Sequence, residues 1–184
     1  GNVIDIAQTV KAIKEAVDVA STMAAADVIK VIITISGDHI KSINSKGVVA
    51  VNELEITQHD VEKALQKCKD SFLSQNKEII HIIPQEYAVD DQRGIPNPIG
   101  MTGNSLEVQV HVALANSAST KNIINCVNQN QLEVLSMVFA PIASAYGVLT
   151  QDEKELGVML IDIGYATSTI SVYKEGSILF SHII

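Results

Sequence analysis

The sequence contains no tryptophan, and aromatic residues make up only 4% of it. Its core must therefore be built from Ile, Val, Leu and Ala. No basic block occurs, and the formal net charge is −8. That argues against a nucleic-acid partner, because neutralising phosphates needs clustered Lys and Arg. Only two cysteines are present, Cys68 and Cys126, on separate predicted helices. A secreted disulfide scaffold is not expected from this, and a reducing cytoplasm fits better. No apolar run approaches the roughly 18 residues that a spanning helix needs, and no signal-peptide pattern is present. The first residue is glycine rather than methionine, and a helix follows almost at once, so a fragment is expected. The chain is 184 residues long and 47% hydrophobic, enough for one large or two small domains with a substantial core.

In DIAQTVKAIKEAVDVASTMAA, Ile6, Val10, Ile13, Val17 and Ala20 recur at helical spacing, with Asp5 and Gln8 in a capping-box pattern. Residues 28–37 are β-branched and end on glycine, which predicts a buried strand. Residues 42–51 predict another, with a bulge or hairpin near Gly47. A second amphipathic helix follows, capped by Thr57 and Asp60 and stapled by Ile56 to Val61. Its apolar stripe is Val61, Ala64, Leu65, Cys68 and Phe72. A strand from Glu78 carries Pro84, expected at a bulge or edge. Residues 106–114 alternate apolar and polar, predicting a half-buried strand. Ser117 or Ser119 starts a third helix, LEVLSMVFA reads as a strand, and Pro141 suits the first turn of a further helix. Three short strands close a mixed α/β order. The loop over residues 90–105 is long for a compact domain. Strands 28–35 and 106–114 are expected to offer an edge to an added strand.

The most chemical stretch is VMLIDIGYATSTISVYKEG, residues 158–176. An apolar strand ends in Asp162, Ile163 and Gly164, with Thr167, Ser168 and Thr169 behind it. Such a strand–turn–strand can offer backbone N–H groups and hydroxyls to phosphate oxygens. A carboxylate at the strand end can hold hydrated Mg²⁺. An ordinary β-hairpin with a polar turn is the other reading of the same residues. The run resembles the second phosphate-binding motif of actin-like ATPases, Asp-hydrophobic-Gly-Gly-Gly-Thr-Thr-Asp. A more specific likeness lies in PQEYAVDDQRGIPNPIGMTG followed by LEVQVHVALA, in ISGDHIKSINSKGVVAV and in SAYGVLTQDEKELGVMLIDIG. These segments resemble the bacterial cell-division FtsA family, and the likeness runs from Gly1 to Ile184.

The resemblance implies a partial α/β actin-like (ribonuclease H-like) ATPase fold carrying an inserted strand–helix–strand–strand domain. Residues 1–26 and 116–157 would belong to the first wing, 27–115 to the insert, and 158–184 to the opening hairpin of the second wing. The implied function is a scaffold that polymerises, anchors the FtsZ ring to the cytoplasmic face of the inner membrane at the division site, and recruits later division proteins. It would not be an enzyme beyond weak ATPase activity. ATP and Mg would be ligands of the full-length protein, with none expected for these residues alone. Asp162, Gly164, Tyr165, Ala166, Thr167 and Ser168 would face the nucleotide, Asp162 holding Mg through water. The membrane would be reached by a C-terminal helix absent here. The departures are Tyr165 and Ala166 in place of two glycines, and Thr169 in place of the final Asp. They weaken the nucleotide reading more than the family one, since glycine serves where backbone must approach a phosphate. Asp90, Asp91, Arg93 and Asn97 are the implied partner-binding residues, a purely structural loop being the other reading. Two alternatives stand: a pilus-assembly protein of the PilM type, and a sugar kinase or phosphatase of the same superfamily. The last needs an intact glycine-rich turn. His81 and His111 flank the loop without a third metal ligand.

Overall fold

The computed structural model describes residues 2–53, 55–72 and 76–184. In chain order it runs α1 (Ile6–Ala24), β1 (Lys30–Ile35), β2 (Lys41–Ala50), α2 (Gln58–Asp70), β3 (Lys77–Val89), β4 (Gln92–Ile95) and β5 (Ser105–Asn116). Then come α3 (Ser117–Asn128), β6 (Glu133–Phe139), α4 (Ala140–Val148), α5 (Gln151–Leu156), β7 (Val158–Ile163), β8 (Ser168–Lys174) and β9 (Ser177–Ile183). Among the described residues no helix is long and apolar enough to cross a membrane.

Local chemistry explains most of these boundaries. The Asp5 carboxylate accepts the Gln8 amide at 2.9 Å and starts α1. The Thr57 amide and hydroxyl both donate to the Asp60 carboxylate, at 3.1 and 2.7 Å, ahead of α2. Asn116, rather than Ser117 or Ser119, caps α3; its side-chain oxygen accepts the amides of Ala118 and Ser119. Thr150 and Glu153 form a capping box for α5, a helix that the sequence reading missed although the pattern was visible. Pro141 sits in the first turn of α4, where its missing N–H costs nothing. Pro84 lies at a register shift in β3, the bulge expected there.

The strands form three sheets. β2, β5, β3 and β4 make an antiparallel four-stranded sheet in that order; β1 pairs in parallel with β6; β7, β8 and β9 form an antiparallel meander. The unit β2–α2–β3–β5, with β4 added as a short fourth strand, is the expected strand–helix–strand–strand insert. β1 hydrogen-bonds to β6, outside that sheet. Its residues alternate between half-buried and exposed up to Ile35, so the fully buried strand expected over 28–37 is not found. The reason is that no other layer among the described residues covers its outer face.

Two cores hold the molecule together. In the first, Val61, Ala64 and Cys68 of α2 pack on Leu106, Val108, Val110, Val112 and Leu114 of β5. Gly47 permits this packing: a Cβ there would lie 2.2 Å from the Ala64 carbonyl oxygen and 2.8 Å from Cys68 Sγ. In the second, Ala113 and Ala115 from the opposite face of β5 join Ile35, Phe139, Ile142, Tyr173 and Ile178. Each large side chain buried in this way contributes about 1.5–3 kcal/mol. β5 is therefore buried on both faces over its second half, not half-buried throughout as expected. It also lies between β2 and β3, so its expected role as an open edge is incorrect.

Candidate functional site

The β7–β8 hairpin brings Asp162, Gly164, Tyr165, Ala166, Thr167 and Ser168 together. Asp162 ends the strand with an exposed carboxylate that accepts the Ser144 hydroxyl at 2.8 Å. The Thr167 hydroxyl lies 3.4 Å from that of Ser36, at the end of β1. Ser36, just after β1, and Ser144 of α4 thus each meet one polar side chain of the hairpin. Neither Ser36 nor Ser144 is legible in the sequence, because each reaches the turn only through tertiary packing.

The turn itself is tight. The Gly164 amide donates to the Thr167 carbonyl at 3.0 Å. A Cβ on Gly164 would sit 2.9 Å from that same oxygen, so glycine is required by the turn's own geometry. The Ser168 amide donates to the Ile184 carbonyl at 2.8 Å, which occupies it in the sheet. Thr169 is buried, and Tyr165 is fully exposed at the tip. Asp162, its carboxylate already accepting the Ser144 hydroxyl, and the Thr167 hydroxyl are the groups here that could serve a magnesium-bound phosphate. When bound, the metal would balance phosphate charge. Asp162 would orient it, with Ser144 fixing the carboxylate, and Thr167 would offer its hydroxyl.

The second set of residues lies on the β3–β4 hairpin. Asp90 adopts the left-handed conformation at φ 50°. Its carboxylate accepts the Asn104 and Ser105 amides at 3.0 and 2.9 Å, and these bonds hold its pKa below the usual carboxylate value. Asn97 accepts the Ile99 amide at 3.1 Å, a local turn bond. Asp91 and Arg93 are exposed. The segment after β4 is stitched to the approach to α2: Gly100 donates to the Ile56 carbonyl and Ile56 to the Met101 carbonyl. Pro98 is buried beneath it. Asp90 touches the first residue of β5, whereas the chain leaves the sheet at its last. A strand of that length spans roughly 35–40 Å, so the Asp90 loop lies at the end of the insert remote from the point where the chain leaves it.

His81 and His111 lie on paired strands but hydrogen-bond to different groups. His81 Nε2 accepts the Phe139 amide at 3.0 Å. His111 is buried between Asn44 Oδ1, at 2.6 Å, and the Ser181 hydroxyl, at 2.8 Å. Burial lowers both pKa values, that of His111 to about 4. His111 belongs to a polar seam on which β9 lies against the insert. Ser42 donates to the Ser181 carbonyl, Asn44 to that of Leu179 and Gln85 to that of Ile178.

The family model for the SHS2 domain inserted in FtsA matches residues 37–114. Across its whole length the chain is 39% identical to the cell division protein FtsA of Escherichia coli, spanning 44% of that protein. It is equally similar to FtsA of Pseudomonas aeruginosa, again over 44% of the relative. With FtsA of Borreliella burgdorferi the identity is 35%, over 45% of the relative. The chain belongs to the FtsA family. It spans under half the length of these FtsA relatives. Among solved structures, one from a PilM-PilN type IV pilus biogenesis complex superposes on the whole chain with a TM-score of 0.66. That match covers 49% of the pilus protein at 16% identity, so it speaks to fold alone. The FtsA-family chain accordingly has a partial actin-like α/β fold with an SHS2-type insertion.

Proposed function

We propose that the chain is the central part of an FtsA-type cell-division scaffold. The observation that carries this reading is an inserted β2–α2–β3–β5 unit within a sequence that matches FtsA proteins from its first residue to its last. The insert would run from about residue 37 to 116, with residues 2–36 and 117–157 forming the first wing and 158–184 the start of the second. The full protein would polymerise, hold the FtsZ ring at the cytoplasmic face of the inner membrane through an amphipathic helix in a further segment, and recruit later division proteins. Asp91 and Arg93, exposed at the far end of the insert, would meet a partner, while Asp90 and Asn97 shape that surface. The pilus-assembly alternative has only a distant fold likeness behind it.

The direct test is a chimera. The aligned segment of Escherichia coli FtsA is replaced by these residues, which match it over 184 positions, in cells depleted of their own FtsA. Restored septation is the expected result. Continued filamentous growth despite a folded chimera at native abundance would sink the proposal. ATP with Mg would bind the full protein through the Asp162 turn and a second phosphate loop outside these residues. The chain alone should show no appreciable heat on titration with Mg-ATP. Each missing charge-assisted bond removes about 1.5–3 kcal/mol, and micromolar binding would contradict this assignment of the site.

A further inference from the structure

The insert is joined to the first wing by two chain crossings: residues 36–40 lead in, and the junction of β5 with α3 leads out. Between them lies a cavity of about 190 Å³, lined by Asp38, His39, Lys41, Asn76, Lys77 and Asn116. It is below the roughly 300–1,000 Å³ typical of sites for drug-sized ligands. The His39 side chain is only 7% exposed, and neither of its ring nitrogens has a hydrogen-bond partner among the described residues. Buried polar groups are almost always satisfied, and one left unpaired is costly. The nearest carboxylate oxygen, on Asp38, is 4.0 Å from Nδ1, beyond hydrogen-bonding reach. Burial holds the imidazole below its usual pKa, which disfavours its charged form.

The surroundings favour a negative ligand. Lys41 opens β2 opposite Leu114, and Lys77 opens β3 opposite Asn116. Neither lysine makes an ion pair among the described residues. The N-terminus of α3 adds its positive end, although its first amides are already taken by Asn116 and Asn76. Asp38 is the opposing charge. It faces solvent, with 88% of its side chain exposed, and accepts the Asn2 amide.

We propose that this cavity binds a small oxyanion of the phosphate class, held by His39, Lys41 and Lys77. An anion against the ring would favour its protonated form, so binding is linked to proton uptake. It would also tie the strand that enters the insert to the strand and helix at its exit.

The test titrates the chain with inorganic phosphate at constant ionic strength, replacing chloride, and follows the His39 ring protons by NMR. Assignment comes from their loss in His39→Asn. A saturable His39 shift is expected, weakened about ten-fold by Lys41→Gln with Lys77→Gln. Both lysines are exposed, so that variant should fold, and its unfolding midpoint checks this. Lys46→Gln, on the same strand but paired with Glu107, should leave the affinity unchanged. A phosphate monoester run in parallel tells a phosphorylated group from the free ion, and tighter binding of either supports the oxyanion site. No saturable shift at tens of millimolar phosphate, or equal affinity in the double lysine variant, overturns it.

Discussion

At the scale of single residues, two positions show how little sequence context reveals about role. Gly47 and Gly147 are both glycines inside regular structure, yet their substitutions should have opposite signs. A Cβ at Gly47 meets the Ala64 carbonyl and Cys68 Sγ, whereas one at Gly147 meets nothing within 4 Å. Gly47→Ala must push α2 off the sheet, at a cost of about 1–3 kcal/mol. Gly147→Ala, in the last turn of α4, should stabilise by up to about 1 kcal/mol by limiting backbone freedom in the unfolded chain. Urea unfolding of the two variants checks both signs. Asp90 makes the matching case for charge. Its folded pKa is depressed by the Asn104 and Ser105 amides. The stabilisation is therefore present above the unfolded value near 4 and is lost as pH falls through the lower folded value. Asn tolerates the same left-handed backbone. Asp90→Asn should thus lower the unfolding midpoint at pH 7 and converge with the parent protein in strong acid. A constant difference at every pH would mean that the carboxylate bonds contribute nothing.

At the scale of elements, β5 is the hinge of the design. Leu106, Val108 and Val110 face α2, while His111, Ala113 and Ala115 face the opposite side, toward β9 and the second core. The strand was legible because its alternation is strict. Its centrality was not, because nothing local distinguishes a strand with two neighbours from one with a free edge. The polar seam to β9 has a measurable signature. His111 titrates near 4 when folded, against about 6.5 when unfolded. The folded state then binds fewer protons across that window, so stability held above about pH 6.5 is lost as pH falls toward 4. His81, also lowered by burial, acts in the same direction. Comparing parent and His111→Gln isolates the seam: the variant should show a flatter loss of unfolding midpoint between pH 6.5 and 4.5. Parallel curves would show that His111 is not excluded from charging by the fold.

At the scale of the whole molecule, one face of β7 and the β1–β6 pair carry exposed apolar side chains. Met159, Ile161 and Ile163 of β7 are 58%, 54% and 80% exposed. Ile32 of β1 and Leu135 of β6 are also exposed. Parallel pairs such as β1–β6 are normally covered on both faces, and bare strand edges invite pairing with other chains. Light scattering should therefore show mass rising with concentration, and Ile161→Lys should reduce that rise. A strict monomer across the accessible range would show that these faces are inert in water.

The sequence by itself determined α1 and α2 with their caps at Asp5 and Thr57–Asp60, the alternating strand and the FtsA likeness. These depend on neighbours within a few positions, or on motif spelling. Tertiary structure alone decided that β1 joins β6, that His111 is buried against Ser181, and that His39, without a hydrogen-bond partner among the described residues, lines one cavity with Lys41 and Lys77. It also decided which candidate residues are available. Asp90 and Asn97 spend their side-chain oxygens within the loop, while Asp91 and Arg93 remain exposed at its surface. The physical reason is range. Periodicity and caps are written in bonds across three or four residues. The Ser36–Thr167 contact links groups 131 positions apart, and only the packing of whole sheets brings them together.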